Sequence, residues 1–512
     1  MTQVSTPLFA PEVLLAQMRE QRWFAQHDLE SVSLEILDYL LLGNNELICE
    51  QAPGDGQVFL SASQEQLYWL KVRVGNSHYY SLVVSSCNDK LRDASQHNGF
   101  IEQLTLAGEK GLNTANGGKV CLQGKILREI ITRVRPFDAG SSNSLQLCDT
   151  QTESYVLKCY RLMTESNRDE VAVTKALQGQ QVMPALAGVI EYHPGQGERE
   201  CLGLLTRYLP GEPVHKCFSR SIRQVMAKEL GDGVAAEQEI RALKPLCRQI
   251  GGQIARFHHR LNGAYRKQLQ SGKQAFDLSA YLKQSRACWQ RICRAVQQDA
   301  LLDISCRQKV LRQLHSCAQY LFDEAGLIGA AADLSLPVSI VHGDLHLAHV
   351  FINDESQQSC QIIDPSPISL NGEDEAFNTQ VSLMDLAGFH RGLEYFSFDE
   401  VSHVMANHLA KSNSDIAALM LQQPQQLAGS CPALFSLLES WSVEIFSFLL
   451  DAYREQIKLI SDSGHQLEDR IYQLFYFSRL LKELDYNYAY GRQFFKLCDL
   501  YYLNKLTDTL TS

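Results

Sequence analysis

Several features that would send a chain to a membrane, a nucleic acid or an oxidising compartment are missing from this sequence. No stretch approaches the ~18 uninterrupted apolar residues of a spanning helix. The opening residues, MTQVSTPLFAPEVLLAQ, place nothing basic ahead of their apolar positions, so a secretory signal is not expected. Positive charge is in deficit. The formal net charge is −11, which argues against a surface that holds nucleic acid or anionic lipid by bulk charge but leaves room for a local basic pocket. The fifteen cysteines form no C-x-x-C pair. Their number is odd and most sit in apolar patterns such as YVLKCY, so the expectation is buried, reduced thiols in a cytoplasmic protein, with a disulfide framework or zinc ribbon the lesser alternative. No internal repeat is visible.

What is present is ordinary soluble-protein composition, 45% hydrophobic and 21% charged over 512 residues, enough for a large core and about three domains. Residues 10–24 carry helical apolar spacing. Short runs rich in β-branched and aromatic residues follow (SVSLEILDYLLL, NELICEQA, QVFLSAS, QLYWLKVRVG, HYYSLVVSS), separated by Gly, Asn and Asp, and predict a small antiparallel sheet ending near residue 110. A second strand-rich block spans about 119–210. It holds the strand ESYVLKCYR, the helical SNRDEVAVTKALQ and a hairpin turning at PGQG. Beyond about 215 the pattern is helical, interrupted by one expected strand pair, PVSIVHGD with SCQIIDP. Two polar stretches, GDGVAAEQE near 231 and LQQPQQLAGS near 421, read as loops. The fold class is therefore α+β in segregated parts: a β-rich cap (1–110), a β-rich lobe with one helix (111–212) and a helical lobe (213–512).

Chemistry concentrates in VHGDLHLAHVFIN, residues 341–353, and in QIIDP shortly after. His342, His346 and His349 are spaced i, i+4, i+7, which on a helix would give three zinc ligands one face. The flanking VSIV and VFIN read as strands, however, so the segment is expected to be a loop, where that spacing loses its meaning. The second reading uses the aspartates. Phosphoryl transfer from ATP needs a carboxylate at the acceptor hydroxyl and cations on the phosphates. Asp344, on a loop after a strand, and Asp364, at the end of the neighbouring strand, fit those two needs. Lys158 in its apolar strand, with Glu170 twelve residues on, fits the lysine–glutamate pair that holds a cation toward phosphate. The small-residue turn DAGSSNSL, residues 138–145, is able to lay backbone N–H groups over phosphates. In isolation each of these has a plain structural reading: loop caps, a solvent-facing lysine, a hairpin turn.

In that order the motifs resemble the bacterial maltokinases, within the aminoglycoside-phosphotransferase-like, protein-kinase-like superfamily. EQRWFA (20–25) resembles the N-terminal cap signature, SSNSL with YVLKCYR the phosphate loop and lysine strand, NRDEV the helix glutamate, and HGDLHLAHV the catalytic loop. SLMDLAGFHRGLEY (382–395) resembles the segment after the metal-binding aspartate, and RLLKELDYNYAYGR (479–492), loosely, the helix lining the sugar pocket. The resemblance implies a bilobal kinase-like fold, with Asp344 as catalytic base or orienter and Asp364 on Mg²⁺. It places Lys158 on the ATP phosphates with Glu170 as partner, and Ser142, Asn143 and Ser144 in the phosphate loop. His349 stands at the second metal-ligand position, which is Gln in maltokinases.

The departures shape the expectation. His349 offers nitrogen where Mg²⁺ prefers oxygen. It acts through water, favours Mn²⁺, or does not ligate. Pro365-Ser366-Pro367 replaces the family's Phe-Glu-Gly, stiffening that turn and removing an N–H. Arg479 stands where lysine is usual. Arg391 and Tyr395, a helical turn apart, either face the acceptor pocket or brace the aspartate loop. Tyr486, among the tyrosines of LDYNYAYGR, either stacks on a sugar or packs in a core. Asp385 is expected to fix the catalytic loop, Trp23 to anchor the cap, and His258 to sit at a helix interface. The expected activity is ATP-dependent phosphorylation of a sugar hydroxyl, maltose to maltose 1-phosphate or a related glucose-containing sugar. The alternatives are a kinase of glucosamine, an amino alcohol or an aminoglycoside, and a nucleotide-binding pseudokinase. The expected partners are ATP and a small sugar, with no nucleic acid and no membrane; the oligomeric state stays open.

Overall fold

The computed structural model describes residues 10–21, 24, 32–47, 63–87, 90–94, 97, 99–137, 141–232, 236–271, 275–323, 327, 337–353, 360–460 and 469–511. Trp23, most of QVFLSAS, part of EQRWFA and residues 138–140 lie outside that set. The chain divides into two compact units, Met1–Gly179 with Pro184–Leu209, and Gln180–Met183 with Pro210–Ser512.

The first unit opens with α1 (Pro11–Arg19) and a four-stranded antiparallel sheet of β1 (Leu34–Leu47), β2 (Ser63–Val74), β3 (His78–Cys87) and β4 (Lys90–Asp93), in that order. After α2 (Gly99–Ala107) comes a seven-stranded sheet. Its strands are β5 (Leu112–Asn113), β6 (Lys119–Gln123), β7 (Ile131–Pro136), β8 (Ser144–Thr150), β9 (Ser154–Cys159), β10 (Leu186–His193) and β11 (Glu200–Arg207), ordered β5-β6-β10-β11-β9-β8-β7. Helix α3 (Glu165–Ala176) lies between β9 and β10 in the chain. The expected cap and lobe prove to be one unit. Leu40, Trp69, Val83 and Phe100 of the cap share a single core with Val120, Leu157 and Ile190 of the lobe. The buried Asp38 carboxylate of β1 accepts hydrogen bonds from Thr114, Asn116 and the Tyr192 hydroxyl (2.6 Å). A buried carboxylate carries a high desolvation cost, and these donors from the second sheet offset it, which ties the two sheets together.

The second unit is helical: α4 (Val214–Asp232), α5 (Ala236–Ala242), α6 (Lys244–Ala264), α7 (Arg266–Ser271), α8 (Leu278–Gln298) and α9 (Ile304–Leu321), then α10 (Leu383–Leu409), α11 (Asn413–Gln422), α12 (Pro424–Ser430), α13 (Pro432–Ile460), α14 (Asp469–Ala489) and α15 (Gln493–Thr511). LQQPQQLAGS is thus helical rather than a loop, with Pro424 at the first turn of α12, where its missing N–H costs nothing. Helix α13 is long and apolar enough by length and composition to cross a membrane, and half of its apolar window is buried inside the unit. It crosses α6 closely at Gly251, where a Cβ would stand 2.2 Å from the Leu449 carbonyl oxygen.

A small sheet of β12 (Glu212–Pro213), β13 (Val350–Ile352) and β14 (Cys360–Ile362) carries the loop of interest. Here the expected strand pairing differs. The partner of CQI is VFI, and PVSIVHGD is irregular extended chain. Its apolar residues are buried, yet its backbone donors go to side chains and loops instead of a ladder. Ile340 N–H donates to Asn262 Oδ1 (2.8 Å), Ser339 N–H to the Gln380 carbonyl (3.0 Å) and His342 N–H to Asp385 (2.6 Å). Every cysteine characterised among the described residues is free, and burial pushes thiols such as Cys148 up to about 12. Such protonated thiols are inert.

Candidate active site

Asp344 is held from behind. The buried Asp385 carboxylate accepts the backbone N–H of His342 and of Gly343 (2.9 Å) and pairs with His258 Nε2 (2.9 Å). Burial would raise that carboxyl, but His258, first by hydrogen bond, outweighs it and keeps the carboxyl below its usual range. His258, expected only as an interface residue, is therefore part of the bracket. Gly343 has φ +87, and a Cβ there would lie 1.8 Å from the Ser366 carbonyl oxygen. Only glycine lets the HGD loop meet the DPSP turn so closely. The turn answers with the Ser366 N–H, donated to the His342 carbonyl at 2.6 Å. Asp364 itself adopts φ +58, a left-handed conformation that Asp and Asn enter more readily than other residues with a Cβ.

Hydrogen bonding sets the tautomer of each histidine. His342 is fully buried, and burial pushes its imidazole down to about 4, so it is neutral at pH 7. It donates Nε2–H to the Ile363 carbonyl (2.8 Å), leaving Nδ1 to accept the Asp344 N–H. His346 Nδ1 accepts the Ala348 N–H (3.2 Å), so Nε2 bears the hydrogen and faces Asp344 Oδ2 at 3.9 Å. His349 is the reverse. Its Nδ1–H donates to the Asp344 carbonyl (2.8 Å), so Nε2 is the nitrogen that faces Asp364 Oδ2, at 3.9 Å. The tri-histidine zinc reading fails on this geometry, because His342 spends both ring nitrogens on backbone. Ligand atoms of Asp344, His346 and His349 do lie within 4.8 Å of one another, but in its neutral form His346 presents a donor there.

Arg479, on α14, sets its Nη2 3.3 Å from Asp344 Oδ1. Burial acts to raise the Asp344 carboxyl, but His346 and then Arg479 outweigh it and hold the group below its usual range. Burial also drives His346 down to about 4. At neutral pH the lasting cation opposite Asp344 is therefore Arg479. In turn Arg479 Nε binds Glu483 (2.7 Å), one helical turn along.

Arg391 and Tyr395 require correction as acceptor-pocket residues. Arg391 is fully enclosed and pairs with Glu394, Glu483 (2.8 Å) and Asp499 (2.6 Å). The Tyr395 hydroxyl is spent on Asp499 and accepts from Asn487 (3.1 Å). Tyr486 remains exposed at 51%, two turns beyond Arg479 on the same face of α14, with its ring 4.5 Å from that of Tyr490. Glu483, Glu394 and Asp499 escaped the sequence reading. The first two had a signal, an i+4 and an i+3 partner for an arginine; Asp499 had none.

In the first unit, Lys158 Nζ lies 2.9 Å from both Glu170 oxygens, and the Tyr160 hydroxyl adds a bond of 2.7 Å to Glu170. Strand β9 carries the lysine, and α3 presents the glutamate. The turn 141–144 ends at β8, beside β9. Asn143 Oδ1 caps the Arg161 N–H (3.4 Å), the Asn143 N–H goes to Ser141 Oγ (3.0 Å), and Ser144 is buried at the strand's start.

Two cavities among the described residues of the second unit bear on the site. One of 590 Å³ is lined by His390, Glu394, Tyr472 and Tyr502 and includes no catalytic-loop residue. One of 370 Å³ lies along α8 and α14, and Ser478 and Lys482 bring it beside Arg479. Neither cavity is lined by Arg479 or the catalytic loop; the second uses α14 positions that flank Arg479 in the chain.

Residues 133–365 match the phosphotransferase enzyme family, APH. That span contains Lys158, Glu170, Asp344, His349 and Asp364. Among solved structures, a glucosamine kinase (crystal form A) is 16% identical with a TM-score of 0.54, covering 93% of this chain and 92% of that one. A glucosamine kinase in complex with glucosamine, ADP and inorganic phosphate is 14% identical with a TM-score of 0.52, covering 98% and 99%. At these identities the likeness shows the fold, kinase-like α+β with a β-rich cap. No curated protein matches the chain by sequence.

Proposed function

We propose that the chain is an ATP-dependent phosphotransferase acting on a hydroxyl of a small sugar. The observation that carries this is the Asp385 bracket, which fixes Asp344 on a short loop next to the Asp364–His349 pair. Asp344 accepts or orients the proton of the attacking hydroxyl, and its low pKa keeps it ionised for that task. Lys158, oriented by Glu170, binds nucleotide phosphate oxygens. Asp364 and His349 are placed to hold a divalent cation. Two neighbouring donors about 2.1 Å from a shared octahedral ion stand roughly 3 Å apart, so the 3.9 Å between these two atoms would close by about 1 Å on binding. Such an ion, when bound, neutralises phosphate charge. The acceptor enters the cavity beside Arg479, where Lys482 and Ser478 supply donors to sugar oxygens.

Two acceptors lead. The sequence resemblance supports maltose, with phosphate placed on its anomeric hydroxyl. The likeness in fold to a glucosamine-bound kinase supports glucosamine. The test is ADP formation by the purified protein with MgATP or MnATP against maltose, glucose, glucosamine, ethanolamine and an aminoglycoside. Acceptor-dependent ADP release names the substrate. ATP binding without turnover on any of these, under either metal, points to a nucleotide-binding regulator instead.

A further inference from the structure

We propose that Asp364 and His349 form a mixed oxygen–nitrogen site that takes a divalent transition ion of the manganese-to-cobalt range in preference to magnesium. The inference rests on the phosphotransferase reading and specifies its metal. Three observations lead to it.

The first is the fixed tautomer. The Asp344 carbonyl takes the Nδ1 hydrogen of His349 at 2.8 Å, so Nε2 is the ring nitrogen left to face a ligand. A backbone carbonyl on the far ring nitrogen is the support that metal-bound histidines commonly have, since it fixes the ring and raises its basicity. The second is direction. Nε2 faces the Asp364 carboxylate at 3.9 Å, and the left-handed backbone at Asp364 and the Ser366–His342 hydrogen bond hold the turn that carries that residue. The third is confinement. The His349 ring is packed between His342 (centroids 5.6 Å) and His346 (3.8 Å), so swinging it out to leave a water in its place would undo both contacts.

Magnesium requires nearly regular oxygen coordination and gives up water reluctantly, so an imidazole nitrogen at a built-in position counts against it. Divalent first-row ions bind a given nitrogen–oxygen site with affinity rising from Mn²⁺ through Fe²⁺ to Co²⁺, so an imidazole beside a carboxylate favours that series. His346 is no part of the set, because its Nε2 carries a hydrogen toward Asp344.

The experiment is pulsed EPR on the full chain with Mn²⁺ and ADP, using wild type, His349→Gln and His346→Gln, with protein containing [¹⁵N]histidine to identify the source of nitrogen modulation. ADP binding is measured separately by calorimetry. A histidine-nitrogen signal in wild type and in His346→Gln, absent from His349→Gln, is the expected result. Competition should then show the preference for Mn²⁺ over Mg²⁺ falling at least tenfold in His349→Gln. Wild type that binds MnADP without histidine nitrogen on the metal, or a signal lost in His346→Gln instead, overturns this inference while leaving the phosphotransferase reading intact. Failure of wild type to bind ADP with either metal overturns the reading beneath it, and this inference with it.

Discussion

Around Arg391, charge is sealed from water and matched at short range; around Asp344, contacts stretch to 3.3–3.9 Å and the carboxylate stays about half exposed. Glu483 belongs to both clusters, binding Arg391 through one oxygen and Arg479 through the other. One arginine cannot balance three carboxylates in a dry site, and burial pushes both Glu394 and Asp499 up to about 7. That cluster is saturated and has no donor left for a substrate. The Asp344 cluster is different in kind: a cation, a carboxylate and two imidazoles are held in place from behind and meet only loosely in front. Ionic residues alone do not mark a site. What marks it is rigid support combined with unsaturated contacts.

The largest expected effect tests the loose cluster. Asp344→Asn should lower turnover by about 10²–10⁴-fold, the usual range for losing a general base, while the melting temperature hardly changes because the side chain packs little. An ADP-release assay beside a thermal melt checks both. A parallel fall in stability would move Asp344 into the structural class.

Arg391→Met should show the opposite pattern. It leaves Glu394, Glu483 and Asp499 buried without their cation, a loss of about 3–5 kcal/mol, read by urea unfolding at pH 7.5. An elevated acceptor KM with unchanged stability would instead restore Arg391 to the pocket.

Arg479→Gln probes the residue that joins the clusters. Removing the cation opposite Asp344 raises that carboxyl, so the acid limb of kcat/KM against pH should move to higher pH, with smaller losses in turnover than Asp344→Asn. An unmoved limb would show that Arg479 only packs.

The smallest effect is a pH dependence of stability. Burial, then Arg391, drives His390 down to about 3. Phe446, Tyr472, Tyr476 and Glu394 also face it. Unfolded histidine titrates near 6.5, so the unfolded chain takes up a proton that the native one refuses. Stability is full above pH 6.5 and declines as pH falls toward 3, by at most about 1.4 kcal/mol per unit. Glu394 runs the other way between about 4.5 and 7. Comparing wild type with His390→Phe isolates the histidine: from pH 7 to 5 the wild type should lose more stability than the variant.

Local pattern was enough to read the strand of Lys158, the helix of Glu170, the PGQG hairpin and the HGD loop, because strand period, helix period and turn chemistry act over a few residues. By itself the sequence singled out the side chains proposed to carry the chemistry, Asp344, Asp364, Lys158 and Glu170, and set His349 at the position expected for a second metal ligand. Tertiary structure alone decided the rest. PVSIV looked like a ladder strand, yet its hydrogen bonds went to Asn262, Gln380 and Asp385. Cap and lobe fused around one core. Arg391, a turn from Tyr395 in sequence, was claimed by Asp499, 108 residues away. The reason is range: propensity and turn chemistry are settled between neighbours in sequence, whereas the partner of a buried charge and the tautomer of a histidine depend on which distant groups packing brings within 3 Å.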